Sequence, residues 1–152
     1  MGKNKHIKGT TGKNNREAKS RRDPSEDCFP VWIFTKVDVS GKFAFDVSRH
    51  DFDSKYVLGK IIEYSRMKWS EIRRHTHGEK NKSKHHFLEY GSLSSEAMER
   101  IDAKHLHDDT DAIFSFAFGG RVRVIGIRKD EKFYPVWYDP NHEFCPSSKK
   151  NT

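Results

Sequence analysis

The chain has 152 residues, 29 Lys/Arg against 22 Asp/Glu, and equal shares, 34% each, of apolar and charged residues. That length fits one domain with a real core, while so low an apolar share implies that part of the chain stays outside it. No apolar run approaches the length of a membrane span and the N-terminus lacks the apolar stretch of a signal peptide, so a cytoplasmic protein without a membrane partner is expected.

Residues 1 to 22 hold eight cations, Lys3, Lys5, Lys8, Lys13, Arg16, Lys19, Arg21 and Arg22, against one acid, Glu17. Residues 1–27 read as a disordered basic tail, 28–148 as a single α+β domain and 149–152 as a disordered end. Taking those eight cations and one acid from the totals of 29 and 22 leaves 21 of each sign. Residues 23–152 are therefore formally neutral, and the basic balance that invites a nucleic-acid reading belongs to residues 1 to 22. Within that tail Lys3, Lys5, Lys8, Arg21 and Arg22 are the candidate nucleic-acid contacts.

Phe29 to Val39 is β-branched and aromatic, Ser40-Gly41 signals a turn, and Lys42 to Val47 alternates, which predicts an N-terminal β-hairpin. Trp32 and Phe34 would share its apolar side with Phe43, Phe45 and Val47. From Ser54 the period becomes helical: Leu58, Ile61, Ile62 and Ser65 predict a helix to about Met67, and a shorter one follows from about Ser70 to Arg74. His75 to His86 reads as a polar, mobile loop, and His86 to Tyr90 as a short strand. Ser94 is a predicted N-cap, with Leu93 and Met98 as its hydrophobic staple, for a helix to about Lys104.

Ile113 to Pro146 predicts a three-stranded antiparallel meander packed against the helices. With Gly119-Gly120 as a two-residue turn, Phe118 faces Arg121, Phe116 faces Arg123 and Ser115 faces Val124. A second turn at Lys129 to Lys132 sets Arg128 against Phe133, Val124 against Trp137 and Arg123 against Tyr138. Alternation across the strand then places Arg123 among Phe116 and Tyr138 on one sheet face. The fold class is α+β.

Charge is segregated along the body. Residues 66 to 86 carry seven Lys/Arg and four His against two acids, whereas residues 87 to 112 carry two Lys/Arg against seven acids. Arg73, Arg74, Lys80, Lys82 and Lys84 make this basic stretch the body's best surface for tracking phosphates. His85-His86 closes it, either as strand-edge residues or as part of a site. Cys28 and Cys145 match no zinc spacing. The His75-Thr-His77 and His105-Leu-His107 pairs lie in loops rather than strands, so neither a metal nor a cofactor is predicted.

Helices followed by a C-terminal meander with arginines on its central strand and a histidine after its last strand make Ser54 to Pro146 resemble the RelE and HigB ribonuclease toxins. The resemblance is one of pattern. It implies cleavage of messenger RNA, often on the ribosome, and a protein antitoxin as partner, with Arg121 or Arg123 and Tyr138 or His142 at the site. Such cleavage transfers the 2′-oxygen of RNA onto the adjacent phosphate, which needs a base, an acid and cations. Histidine suits the proton steps and arginine the developing charge. The candidate catalytic set is Arg121, Arg123, Tyr138, His142, His85 and His86. Arg123 is equally readable as a stacked structural cation, and Asp139-Pro140-Asn141-His142 as a plain chain reversal. The competing function is a non-enzymatic interaction module whose basic tail binds nucleic acid or an acidic protein.

Overall fold

A computed structural model describes residues 23–77 and 80–146; the tail cations Lys3, Lys5, Lys8, Arg21 and Arg22, Gly78, and residues 149–152 lie outside it. The architecture is α+β. Its strands are β1 Val31–Trp32, β2 Thr76–His77, β3 Lys80–Ser83, β4 His86–Phe87, β5 Ile113–Ala117, β6 Arg123–Lys129 and β7 Lys132–Asp139. The helices are α1 Ser54–Ser65, α2 Trp69–Arg73 and α3 Ser95–Ala103. Five strands form one mixed sheet in the order β1-β7-β6-β5-β4, with β1 parallel to β7 and the other pairs antiparallel.

The sheet lies between helices. Val57 and Tyr64 of α1 and Trp69 and Ile72 of α2 pack with Phe114, Phe116, Phe118, Val124, Phe133 and Tyr138 on one face. Ala97 and Ile101 of α3 pack with Ile113, Ile125, Ile127, Val136 and Trp137 on the other. Helix starts follow local chemistry: Asp53 accepts from Tyr56 N at 3.0 Å to begin α1, and Ser94 Oγ accepts from Ala97 N at 3.2 Å to begin α3, each satisfying an otherwise orphaned donor. The buried side of α1 is not the expected one, because Leu58 and Ile62 are exposed. Tyr56 and Tyr64 turn the helix, their hydroxyls donating to the Phe118 and Ala117 carbonyls at the end of β5. Tyr64 is buried and needs a partner for its hydroxyl, which this rotation supplies.

The predicted N-terminal hairpin does not form. Val31 N and Ile33 N donate to Glu131 O and Phe133 O, Asp38 N donates to Val136 O, and Tyr138 N donates to Phe43 O. Both arms of the Ser40-Gly41 turn therefore bond to the edge of β7 instead of pairing along their length with each other. Residues 23–27, expected within the tail, also belong to the body: Pro24–Asp27 is a 3-10 turn with Ser25 and Glu26 buried. Glu26 stands 3.1 Å from Arg73 and 3.6 Å from Arg128, whose guanidinium lies 3.9 Å from the Trp69 ring centre. The basic stretch expected as a loop contains the β2–β3 pair, with Thr76 opposite Ser83 and His77 opposite Lys80.

The meander is present, but its register is displaced. Gly119, Gly120 and Arg121 make a three-residue loop, with Phe118 N bonded to Val122 O, and Gly119 and Gly120 take φ of 107° and 53°. Phe116 therefore pairs with Val124, and Ala117 with Arg123. Arg128 does pair with Phe133, but a bulge between Ile125 and Gly126 then moves Val124 to Tyr138 and Arg123 to Asp139. Gly126 is required there, since a Cβ would overlap the Tyr134 carbonyl. A one-residue slip turns every side chain to the other face. Arg123 accordingly leaves Phe116 and Tyr138 and joins Ile125 on the α3 side.

Candidate functional site

α3 covers only part of its sheet face. Beside it opens a cleft of about 700 Å³ lined by Lys84, His86, Ser115, Arg121, Arg123, Asp139 and His142 among others. Three stretches of chain build it: the β3–β4 connection and β4, the β5–β6 hairpin, and the turn after β7.

Arg123 is 9% exposed, and its Nη1 donates at 2.9 Å to both Gly120 O and Val122 O. The three-residue loop thus holds the guanidinium by its own carbonyls. Burial lowers the Arg123 pKa, while Asp139 opposite and Tyr64 act to raise it; a guanidinium remains charged under such conditions. Asp139, 1% exposed, accepts from Glu143 N and Phe144 N, both at 2.9 Å. Burial pushes its carboxyl up, and those two bonds and His142 pull it back only in part. Asp139 therefore makes the chain reversal, while His142, at φ 57°, is carried to the cleft wall. His86 Nδ1 lies 3.1 Å from its neighbour's carbonyl, Phe87 O. A carbonyl only accepts, so Nδ1 donates and Nε2 of the neutral ring keeps its lone pair.

Of the six candidate catalytic residues, Arg121, Arg123, His86 and His142 meet at this cleft. Tyr138 does not: its ring packs 4.5 Å from Phe52 on the α1 side, and its hydroxyl donates to Asp51 O at 3.0 Å. His85 is 3% exposed, and its Nδ1 accepts from Ala117 N at 3.0 Å, a ladder donor that β4 is too short to satisfy. Burial, with His75 and Arg123 adding to it, lowers its pKa to about 3. Among the basic contacts Lys84 reaches the cleft. Arg73 is turned toward Glu26, Arg74 and Lys82 are exposed, and Lys80 is placed by its backbone in β3.

The sign of the His85 effect on stability is fixed by that lowered value. Above about pH 6.5 the ring is neutral in both folded and unfolded chains, and its contribution is fully present. As pH falls toward 3, the unfolded imidazole takes a proton that the folded one refuses, so stability drops by about 1.4 kcal/mol per pH unit. Urea denaturation at pH 7, 6 and 5 should show this slope, and His85→Asn should flatten it; an equal slope in both proteins would contradict it.

Cys28 and Cys145 are free thiols. Among the described residues no three His, Cys, Asp or Glu side chains gather to hold a metal ion, and no helix is long and apolar enough to cross a membrane. No family model, no curated protein and no solved structure matches this chain.

Proposed function

We propose that the chain is an RNA-directed endoribonuclease of the toxin kind, acting in the cytoplasm at the cleft lined by β4, the β5–β6 hairpin and the turn after β7. The support is convergence: Lys84, His86, Arg121, Arg123 and His142, from three separate stretches, line one cleft beside a single buried acid. Two kinds of group that 2′-hydroxyl attack requires, cations and imidazoles, stand there together.

In the proposed reaction Arg123, Arg121 and Lys84 hold the scissile phosphate. His86 Nε2 takes the 2′-hydroxyl proton as the 2′-oxygen bonds to phosphorus. The bond from phosphorus to the 5′-oxygen breaks, and His142 returns a proton to that oxygen. The products are a 2′,3′-cyclic phosphate and a 5′-hydroxyl end. The basic tail supplies long-range attraction for the polyanion, because residues 23–152 are formally neutral. Messenger RNA, including ribosome-bound message, is the proposed substrate, and a protein antitoxin that fills the cleft is the proposed partner.

Purified full-length chain incubated with single-stranded RNA should yield cyclic-phosphate ends, and a 2′-deoxy nucleotide at the cut position should block cleavage there. His86→Gln and His142→Gln should each reduce kcat by about 10²- to 10⁴-fold. Full activity in both variants would sink this assignment. Wild-type protein that binds RNA without cutting it, and loses binding on deletion of residues 1–22, would establish the interaction module instead.

A further inference from the structure

Lys84 and Arg123 face two hollows. The second, about 540 Å³, is lined on its far side by Lys60, Glu63 and Tyr64 of α1 and by His75. It shares these two cations with the cleft of His86 and His142. Lys60 and Glu63 pair with each other at 3.3 Å, and the Tyr64 hydroxyl is committed to Ala117 O. His75 and Thr76 are the other polar residues on that side, and His75 is held near Lys84 by a 2.7 Å bond from Lys84 N to its carbonyl.

The fold also sets which His75 nitrogen carries the proton. Ala117 N–H donates to His85 Nδ1 at 3.0 Å, so that nitrogen holds a lone pair and the His85 proton is on Nε2. His85 Nε2 lies 3.3 Å from His75 Nδ1. His75 Nδ1 is therefore an acceptor, and its own proton is on Nε2, the nitrogen left to the hollow. Because burial keeps His85 neutral down to about pH 3, the inner end of this chain does not change with pH in the range where RNA is stable.

We infer that His75 contacts substrate, donating its Nε2–H from the second hollow to a non-bridging oxygen of the phosphate held by Lys84 and Arg123, with His85 as its positioning residue. The inference rests on the ribonuclease function proposed above. Displacement at phosphorus places the attacking and leaving oxygens roughly opposite one another, where His86 and His142 serve them, and charge also builds on the non-bridging oxygens between them. A donor already positioned beside one of those oxygens stabilises that charge without reorganising. His75 Nε2 is protonated already and takes no proton from the 2′-hydroxyl. Its role is charge stabilisation, which divides the labour between the two hollows: proton transfer in one, a fixed N–H donor in the other.

With full-length protein and single-stranded RNA, His75→Ala should lower kcat by about 10²-fold, leave KM within a few-fold, and preserve the shape of the pH–rate profile. His75→Gln, which restores an N–H donor, should recover much of the loss. His85→Asn keeps an acceptor for Ala117 N–H but loses the donor to His75, and should lower kcat per folded molecule, measured well below its melting transition. Loss of one limb of the pH profile in His75→Ala, or unchanged kcat, would overturn the inference. Independently of cleavage, inorganic phosphate added to ¹⁵N-histidine-labelled protein should shift the His75 Nε2–H resonance. If RNA is cut but His75 stays still, the inference falls and the ribonuclease stands. If His75 shifts but RNA is never cut, the ribonuclease falls and the phosphate contact stands.

Discussion

Arg123→Ala should lower kcat for RNA cleavage by about 10²- to 10³-fold, the cost of removing one pre-aimed donor from a developing phosphorane. The residue lines both hollows, so its loss removes a cation from the proposed phosphate site as seen from each. Its guanidinium is tethered to Gly120 O and Val122 O through Nη1, and the position of its charge is therefore set before substrate arrives. Arg123→Lys keeps a charge but not the planar fork, and should fall between wild type and alanine. Stability is the control. Alanine forfeits two hydrogen bonds from a charged donor, about 1.5–3 kcal/mol each at most, but also removes a cation that burial disfavours. These terms oppose, so the melting temperature should move by only a few degrees. A fully active, normally melting Arg123→Ala protein would remove the cleft from consideration.

That prediction depends on a register that periodicity could not supply. Alternation correctly identifies β5, β6 and β7 as strands and Arg128 as the partner of Phe133. It cannot see that Arg121 joins Gly119-Gly120 in the loop, or that the close approach of the Tyr134 carbonyl makes Gly126 a bulge. Each departure shifts the pairing by one residue, and together they move Arg123 from between Phe116 and Tyr138 to between Ala117 and Asp139. A stacked structural arginine became a cleft arginine. The Phe29 to Val47 segment fails for a related reason: its composition marks extended chain, but composition does not name the partner, and β7 offered a free edge. Arg121, Arg123, His86 and His142 were legible as candidates because their residue types suit phosphate chemistry. His75 was not, because its significance lies in a ring ten residues away that meets it only after β2, β3 and β4 have folded.

Asp38→Ala should destabilise the protein by about 3 kcal/mol or more, the cost of losing a buried carboxylate that satisfies four donors and of leaving the Trp137 indole N–H without a partner, with melting lowered by roughly 10 °C. Asp38 is 3% exposed. Its carboxylate accepts from Arg100 Nε and Nη2 at 2.8 and 2.9 Å, from Trp137 Nε1 at 3.0 Å and from Ser40 N at 3.1 Å. One side chain thus ties the Ser40-Gly41 turn to α3 and to the centre of β7. Gly41 takes φ 82° there, and a Cβ would press on the Arg100 side chain, so the turn and the ion pair are fitted to each other. Burial pushes the Asp38 carboxyl up, but the Arg100, Ser40 and Trp137 bonds outweigh it and hold the pKa below the ordinary value. Its contribution is therefore present above about pH 4 and lost as pH falls through the lower, folded value. That window begins lower than the His85 window, which opens at about pH 6.5 and runs to about pH 3. Wild type should lose stability with two onsets on acidification, Asp38→Ala should show only the upper one, and His85→Asn only the lower. Asp38 lies outside both hollows, so cleavage per folded molecule should be unchanged below the melting transition. A drop in kcat without a drop in melting temperature would mean that the turn it anchors takes part in the chemistry.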